Sequence, residues 1–293
     1  MTTAGPPGPP GPAGFAGPAG LAGGGTGPPP VKLWFCPNDT LVPAVAATLA
    51  THWLDEHEQE TVGRFLFERD RRQYLVAHAL VRRVLALETG IPEATAVIRR
   101  SARGRPFLQT PVGGLPRGGP ELDFNLSHAH AYNLLGVVRE GRIGVDVERL
   151  DRGERWLEAI VESFAPDERD WMYRAAPGRP RDLRALRLWT LKEAYAKARG
   201  LGLGLAYDSF GFTPAEDRGV LRFRPPTDDT AARWRFLELQ PVPGVVAAVA
   251  VEGDGPQTPA VHLHHGFPWG RPAPHHLVMP AWGTGQEYTA PAP

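Results

Sequence analysis

Apolar and polar positions first alternate at Val31-Lys32-Leu33-Trp34-Phe35, which predicts a short strand. The spacing then changes to helical. A helix is expected from Pro43 to about Glu60 and a second from about Glu68 to Glu88. In the second, Tyr74, Leu75, Ala77, His78, Val81, Leu85 and Ala86 mark a buried stripe, with His78 expected as a satisfied core histidine. Gly90, followed by Pro92, is placed to end it. Arg64, Arg69, Arg71, Arg72, Arg82 and Arg83 decorate the polar side, as a solvated face or as a holder of phosphates. Phe124 and Leu126 alternate into a core, Tyr132 to Val138 returns as a hairpin strand, and Gly141 turns the chain into Ile143-Gly144-Val145-Asp146-Val147-Glu148. The second half opens with a helix around Glu154 to Phe164, and a short one begins at Ala165-Pro166-Asp167-Glu168. The longest helical pattern runs from Arg181 to Arg199 and ends at Gly200. Strands around Tyr207 to Phe212, Leu221 to Phe223, Trp234 to Leu239 and Val245 to Val251 close this half.

The two ends read differently. Residues 1–30 are Gly, Pro and Ala with little to bury, and from Gly5 a glycine falls at every third position through Gly23. So few collagen-like triplets do not sustain a triple helix, and a disordered arm is expected. Residues 253–293 are expected as an irregular Pro/Gly/His-rich tail, whose His262, His264, His265, His275 and His276 are assigned no role. Between them, 31–142 and 143–252 are expected as two halves of one body. A chain of 293 residues has room for this. The formal net charge of zero offers no basic field for nucleic acid or an anionic membrane. No membrane span and no secretory leader are read, and Cys36 is the only cysteine, so no internal disulfide and no cysteine metal cluster form. The expected compartment is the cytoplasm.

Candidate chemistry sits on the 143–148 strand. Its Val145 and Val147 point to a core, while Asp146 and Glu148 project side by side from the other face. Such a pair is either a solvated strand face or a cation site, and hard oxygen ligands suit Mg²⁺. On the long helix, Trp189, Glu193 and Lys197 stand four apart and share one row. The plain reading is a surface ion pair, but a tryptophan in the row implies that the row is partly covered. Gly104-Arg105-Pro106 is a turn that permits close backbone approach and supplies a forked donor. Asn125, Ser127 and His128 fall toward a strand end, where polar groups hold an anion well.

Gly144-Val145-Asp146-Val147-Glu148 followed by Trp189-x-x-Lys192-Glu193-x-x-x-Lys197 resembles the signature of the 4′-phosphopantetheinyl transferases. Gly104-Arg105-Pro106, Phe124-Asn125-Leu126-Ser127-His128 and Phe65-Leu66-Phe67-Glu68-Arg69-Asp70 resemble earlier motifs of the double-length, surfactin-type (Sfp-like) branch, in the right order. The resemblance covers about residues 33 to 250. It implies an α+β fold of two similar halves related by a pseudo-twofold, each a small antiparallel sheet packed on a long helix. It implies a monomer that moves the 4′-phosphopantetheine arm of coenzyme A to a serine of an apo carrier protein and releases 3′,5′-ADP. The carrier would serve fatty-acid, polyketide or nonribosomal-peptide synthesis. Mg²⁺ would be held by Asp146, Glu148 and Glu193. Glu193 or a metal-bound water would act as base, with Lys197 and Asp146 also in the catalytic set. The coenzyme would be held by Arg64, Arg72, Gly104, Arg105, Pro106, Asn125, Ser127 and His128 together with Asp146, Lys192, Glu193 and Lys197. Lys192 either orients the acidic cluster or caps the helix surface. Departures are Ala129, where many relatives have a second serine, and Gln73 and Thr61, which align with basic residues in relatives. Two rival readings use the same residues: a Mg²⁺-dependent phosphohydrolase acting on coenzyme A, and a non-catalytic module binding coenzyme A or a carrier protein.

Overall fold

The computed structural model describes residues 28–253, 259–270 and 274–278. The Gly/Pro arm therefore lies almost wholly outside the described residues. The first half is built on β1 (Val31–Pro37), whose Val31, Leu33 and Phe35 are fully buried on one face. The single expected helix after it is two, α1 (Pro43–Trp53) and α2 (Glu56–Gly63). The break is written in Asp55-x-x-Glu58. Asp55 Oδ1 accepts the Glu58 N–H at 2.9 Å, and Glu58 Oε2 accepts the Asp55 N–H at 3.0 Å, a capping box that starts a new helix.

α3 (Glu68–Thr89) follows, and Gly90 ends it with a left-handed φ of 80°. Its stripe packs on Trp34, Phe124 and Leu135 of the sheet below. One arginine of the supposed polar side is not there. Arg82 is fully buried, its guanidinium shared between Glu58 (2.8 Å), Asp55 (2.9 Å) and the carbonyls of Glu93 and Ala96. A buried charge persists only when every donor is matched, and here a helix cap supplies the anions. His78 is the satisfied histidine expected: Nδ1 lies 2.6 Å from Glu58 Oε1, and its ring stacks on Tyr74.

A small ribbon of β2 (Ile98–Arg100) and β3 (Pro106–Leu108) leads to the hairpin β4 (Asp123–Ala129) and β5 (Tyr132–Val138). After β6 (Ile143–Arg149) come α4 (Glu154–Val161), α5 (Pro166–Tyr173) and α6 (Arg179–Arg199). Tyr207–Ser209 is a short 3-10 turn rather than a strand, and the strand begins later, at β7 (Gly211–Pro214), paired with β8 (Val220–Arg224). β9 (Trp234–Leu239) and β10 (Val245–Glu252) complete a three-stranded antiparallel sheet in the order β6-β10-β9.

The tail is not irregular throughout. β11 (Ala260–His265) pairs in parallel with β1, and β12 (His275–Val278) pairs with β11, giving the order β12-β11-β1-β5-β4. The reason is a period-two pattern that its histidines obscured. Val261 and Leu263 are fully buried beside Val31 and Leu33, while His264 on the other face stacks on Trp34 at 4.5 Å. The fold is α+β as expected, each half a sheet under a long helix, α3 in one and α6 in the other, with one parallel pair that the resemblance did not imply. Among the described residues no helix is long and apolar enough to cross a membrane.

β6 is where the halves meet. Ile143, Val145 and Val147 join Leu33, Leu134 and Val138 in one core, and the other face lies under α6. The solvated-face reading of that strand therefore fails: Asp146 and Glu148 are both buried. No backbone ladder joins β4 to β6. Side chains do it instead. Asp123, Asn125 and Ser127, successive residues on one face of β4, reach the Ile143 N–H (2.8 Å), the Val145 N–H (2.9 Å) and Asp146 Oδ1 (2.8 Å).

Candidate active site

The site begins with a missing side chain. A Cβ on Gly144 would sit 1.9 Å from the Ala194 carbonyl oxygen and 2.5 Å from the Ala198 nitrogen, both backbone of α6. Glycine there, with alanines opposite, lets the helix lie against the strand. That approach carries Lys197 onto Asp146: Nζ is 2.6 Å from Oδ1, 3.0 Å from Ser127 Oγ and 3.3 Å from the Val145 carbonyl. One turn earlier on α6, Glu193 accepts a 2.7 Å hydrogen bond on Oε1 from the Tyr207 hydroxyl. Glu148 accepts Arg152 Nε at 2.9 Å, and the Arg152 guanidinium covers the Trp156 ring, which meets Trp189 edge to face. The row is covered, as its tryptophan implied.

Electrostatics mark the same residues. Burial, and then the Asp146 charge, raise the Glu148 carboxyl to about 7. The same two causes raise Glu193. Tyr207 is pushed up by burial and by Glu193, so its phenol keeps its proton and donates. His128 opens to solvent on the face of β4 opposite Ser127, yet desolvation by the surrounding walls, then Lys197, lower its imidazole. Carboxyls raised by burial and then by a neighbouring carboxylate are what a desolvated site short of positive charge produces.

Several expected coenzyme contacts are spent elsewhere. Arg105 is buried, and its guanidinium donates to the Lys197 carbonyl, to Asp123 Oδ2 (2.6 Å) and to the Ile143 carbonyl (2.8 Å). It latches the end of α6 to β6. Asn125 Oδ1 accepts the Val145 N–H. Arg72 donates to the carbonyls of Asn38 (2.9 Å) and Leu41 (2.7 Å). Gly104 supplies the left-handed φ of 83° that its hairpin turn requires, and Pro106 starts β3. Arg64 stays exposed, with a 3.5 Å contact to Glu60. Of the departures, Gln73 belongs to an amide ring with Asn38 (2.8 Å) and Asn133 (2.6 Å), Thr61 bonds the His57 carbonyl, and Ala129 is buried.

Lys192 is the clearest correction. It caps no surface: it is fully buried against the fully buried Glu168 at 2.8 Å. Its other two donors go to the carbonyls of Tyr207 (2.6 Å) and Phe210 (2.9 Å). Glu168 in turn accepts the N–H groups of Ala165 and Phe212. Lys192→Met strands that carboxylate in the core, and the expected loss is about 3–5 kcal/mol in chemical denaturation. A loss below about 1 kcal/mol contradicts the pairing.

Sequence reading missed Tyr207 and Arg152. Arg152 stands four residues after Glu148, a spacing that was legible; Tyr207 reaches Glu193 only through the folded loop. The three acidic residues are neighbours, but each has its own donor, and among the described residues no group of three or more His, Cys, Asp or Glu is gathered to hold a metal. One atom remains open: Asp146 Oδ2 is buried with no hydrogen-bond donor among the described residues.

Residues 44–138 match the family model described as 4′-phosphopantetheinyl transferase, N-terminal, and residues 142–250 match that of the 4′-phosphopantetheinyl transferase superfamily. The chain is 32% identical over 226 residues to the 4′-phosphopantetheinyl transferase HetI of Nostoc sp., covering 77% of this chain and 89% of that protein. It belongs to the 4′-phosphopantetheinyl transferase superfamily. A phosphopantetheinyl transferase of Thraustochytrium sp. is 30% identical over 215 residues, covering 69% of this chain and 73% of its own. The L-aminoadipate-semialdehyde dehydrogenase-phosphopantetheinyl transferase of Xenopus laevis is 29% identical over 205 residues, 65% and 66% of the two chains. The two family models meet in the turn between β5 and β6.

Proposed function

We propose that this transferase moves the 4′-phosphopantetheine arm of coenzyme A to a serine of an apo carrier protein and releases 3′,5′-ADP, with Mg²⁺ held by Asp146, Glu148 and Glu193. The observation that carries it is the contact of Lys197, Asp146 and Ser127, with Glu193 one turn away. The donor set fits a hard divalent cation: carboxylate oxygens only, one of them buried without a donor among the described residues, two of the three groups raised by burial and then by the Asp146 charge. Bound there, Mg²⁺ would offset the charge of a pyrophosphate and of the leaving nucleotide.

The chain's own groups supply the rest. Glu193 keeps Oε2 for the carrier serine and takes its proton; burial, then the Asp146 charge, raise its proton affinity above that of a free carboxylate, in the direction a general base requires. The serine oxygen bonds to the phosphorus that bears the pantetheine arm as the bond from that phosphorus to the bridging oxygen breaks. Lys197 stands where negative charge grows on the phosphates, and such stabilisation counts most in the transition state. Ser127 faces the phosphates from β4 beside Lys197, and His128 and Arg64, both exposed, are left for the outer end of the coenzyme. We assign the chain to the surfactin-type branch, acting as a monomer in the cytoplasm, because one chain supplies both halves. Its partners are then coenzyme A and apo carrier domains, with no role for nucleic acid or a membrane.

The test is to incubate purified protein with coenzyme A, Mg²⁺ and an apo carrier protein and weigh the carrier. A carrier heavier by one phosphopantetheine is expected. Phosphopantetheine released without a carrier indicates the hydrolase, and binding without turnover the module. Glu193→Gln keeps the shape and removes the basicity, so turnover should fall about 10²-fold or more. Near-normal turnover removes the base assignment.

A further inference from the structure

The carboxylates of Asp146, Glu148 and Glu193 are held by different kinds of donor. Asp146 is met by the ammonium of Lys197 and Glu148 by the guanidinium of Arg152, whereas the hydrogen bond to Glu193 comes from a neutral phenol. The difference has a chemical consequence. A cation on Glu193 would favour its ionised form and lower the basicity that a general base needs. A phenol orients one oxygen and leaves the charge in place.

Tyr207 is also unusually well fixed for a residue in a loop. Its ring lies 5.6 Å from Trp189 and 5.7 Å from Phe210. Its carbonyl accepts Lys192 Nζ at 2.6 Å, and the same ammonium holds the Phe210 carbonyl, so both ends of the Tyr207–Phe210 turn are fastened to α6. Glu168 balances the charge of Lys192 and secures Phe212 beyond the turn. Adjacent residues on α6 thus divide the work: Lys192 faces inward and fixes the loop backbone, and the loop returns a hydroxyl to the half-buried Glu193. A loop held at this many points is more than a connection. Among the described residues Glu193 is the partner of the phenolic oxygen, and the ring alone satisfies the packing.

We infer that Tyr207 is a positioning residue for the transfer reaction: its hydroxyl fixes Glu193 Oε1 so that Oε2 is presented to the cleft for metal and proton. The inference rests on the reading of Glu193 given above. Removing the hydroxyl leaves Glu193 free to rotate, and a ligand that must first be ordered binds metal and accepts a proton less well.

Tyr207→Phe keeps the ring between Trp189 and Phe210 and deletes one donor. With coenzyme A, Mg²⁺ and an apo carrier protein, kcat should fall about tenfold, the size of a lost hydrogen bond to a charged group, while KM for coenzyme A stays within about twofold. Calorimetric titration with Mn²⁺ alone should show several-fold weaker binding, a readout that a packing role does not move. In the Glu193→Gln background, adding Tyr207→Phe should change kcat less than about twofold, because the group it positions is already lost. If Tyr207→Phe turns over normally while Glu193→Gln is crippled, the inference is wrong and the base assignment stands. The same tenfold loss in both backgrounds also overturns it, since Tyr207 then acts through something other than Glu193. If Glu193→Gln itself is near normal, the reading of Glu193 fails and the positioning role fails with it.

Discussion

Asp146→Asn is expected to lower transfer by about 10³-fold or more while leaving a folded protein. Asparagine keeps the shape and its Oδ1 still meets Ser127, but the negative charge that faces Lys197 at 2.6 Å is gone. Two losses combine in one residue. The buried Oδ2, which has no donor among the described residues, becomes an amide or a neutral oxygen, and neither is a strong ligand for a hard cation. Lys197 is released from the geometry that aims it at the phosphates. Losing one preorganised electrostatic contact costs 10²–10³-fold in comparable sites, and here the metal is disturbed as well. Asp146 is only 4% exposed, so this is not a surface change. The Lys197 side chain retains 28% exposure and can turn to water, which limits the stability cost to about 1–2 kcal/mol. Turnover and a denaturation curve on one preparation check both halves of the statement, and turnover within tenfold of the parent would falsify the central role of Asp146.

Gly144→Ala should be worse for the fold and nearly as bad for activity. The atoms its Cβ meets are backbone of α6, at 1.9 and 2.5 Å, so no side chain swings away to make room. The helix must lift off the strand, and overpacking of this kind costs about 1–3 kcal/mol, with the upper end expected here. The displaced helix carries Glu193 and Lys197 with it. A misplacement near 1 Å is enough for a loss on the order of 10² in turnover. Gly153→Ala is the matched control, because a Cβ there meets nothing within 4 Å and its φ is −68°. Parent-like melting and turnover in Gly144→Ala would show that α6 and β6 are not in the close contact described.

What was legible in the sequence was whatever depends on local spacing. Glu193 and Lys197 on one helical row, Asp146 and Glu148 on one strand face, and Gly90 and Gly200 as helix ends all follow from periods of 3.6 and 2. What was not legible depends on where a polar side chain goes once the chain is compact. Arg105, Asn125 and Lys192 have the right chemistry for a ligand, and residue type alone does not say that their donors and acceptors are taken by Lys197, Val145 and Glu168. Tyr207 is the converse: it carries no motif, and the folded loop brings it to Glu193. Two signals were present and passed over. Asp55-x-x-Glu58 announced a helix start inside an assumed helix, and Val261 and Leu263 announced a strand among histidines.

The parallel pairing of β1 with β11 makes the order of synthesis matter. β1 is among the first described segments to leave the ribosome, and the strand that covers its outer edge is among the last. Until Val261 and Leu263 arrive, Val31 and Leu33 lie beside an unpaired strand edge, the kind of surface on which chains join one another. The first half can collapse early onto α3 through contacts close in sequence, but its sheet closes only after the second half has been made, which favours slow completion and dependence on chaperones.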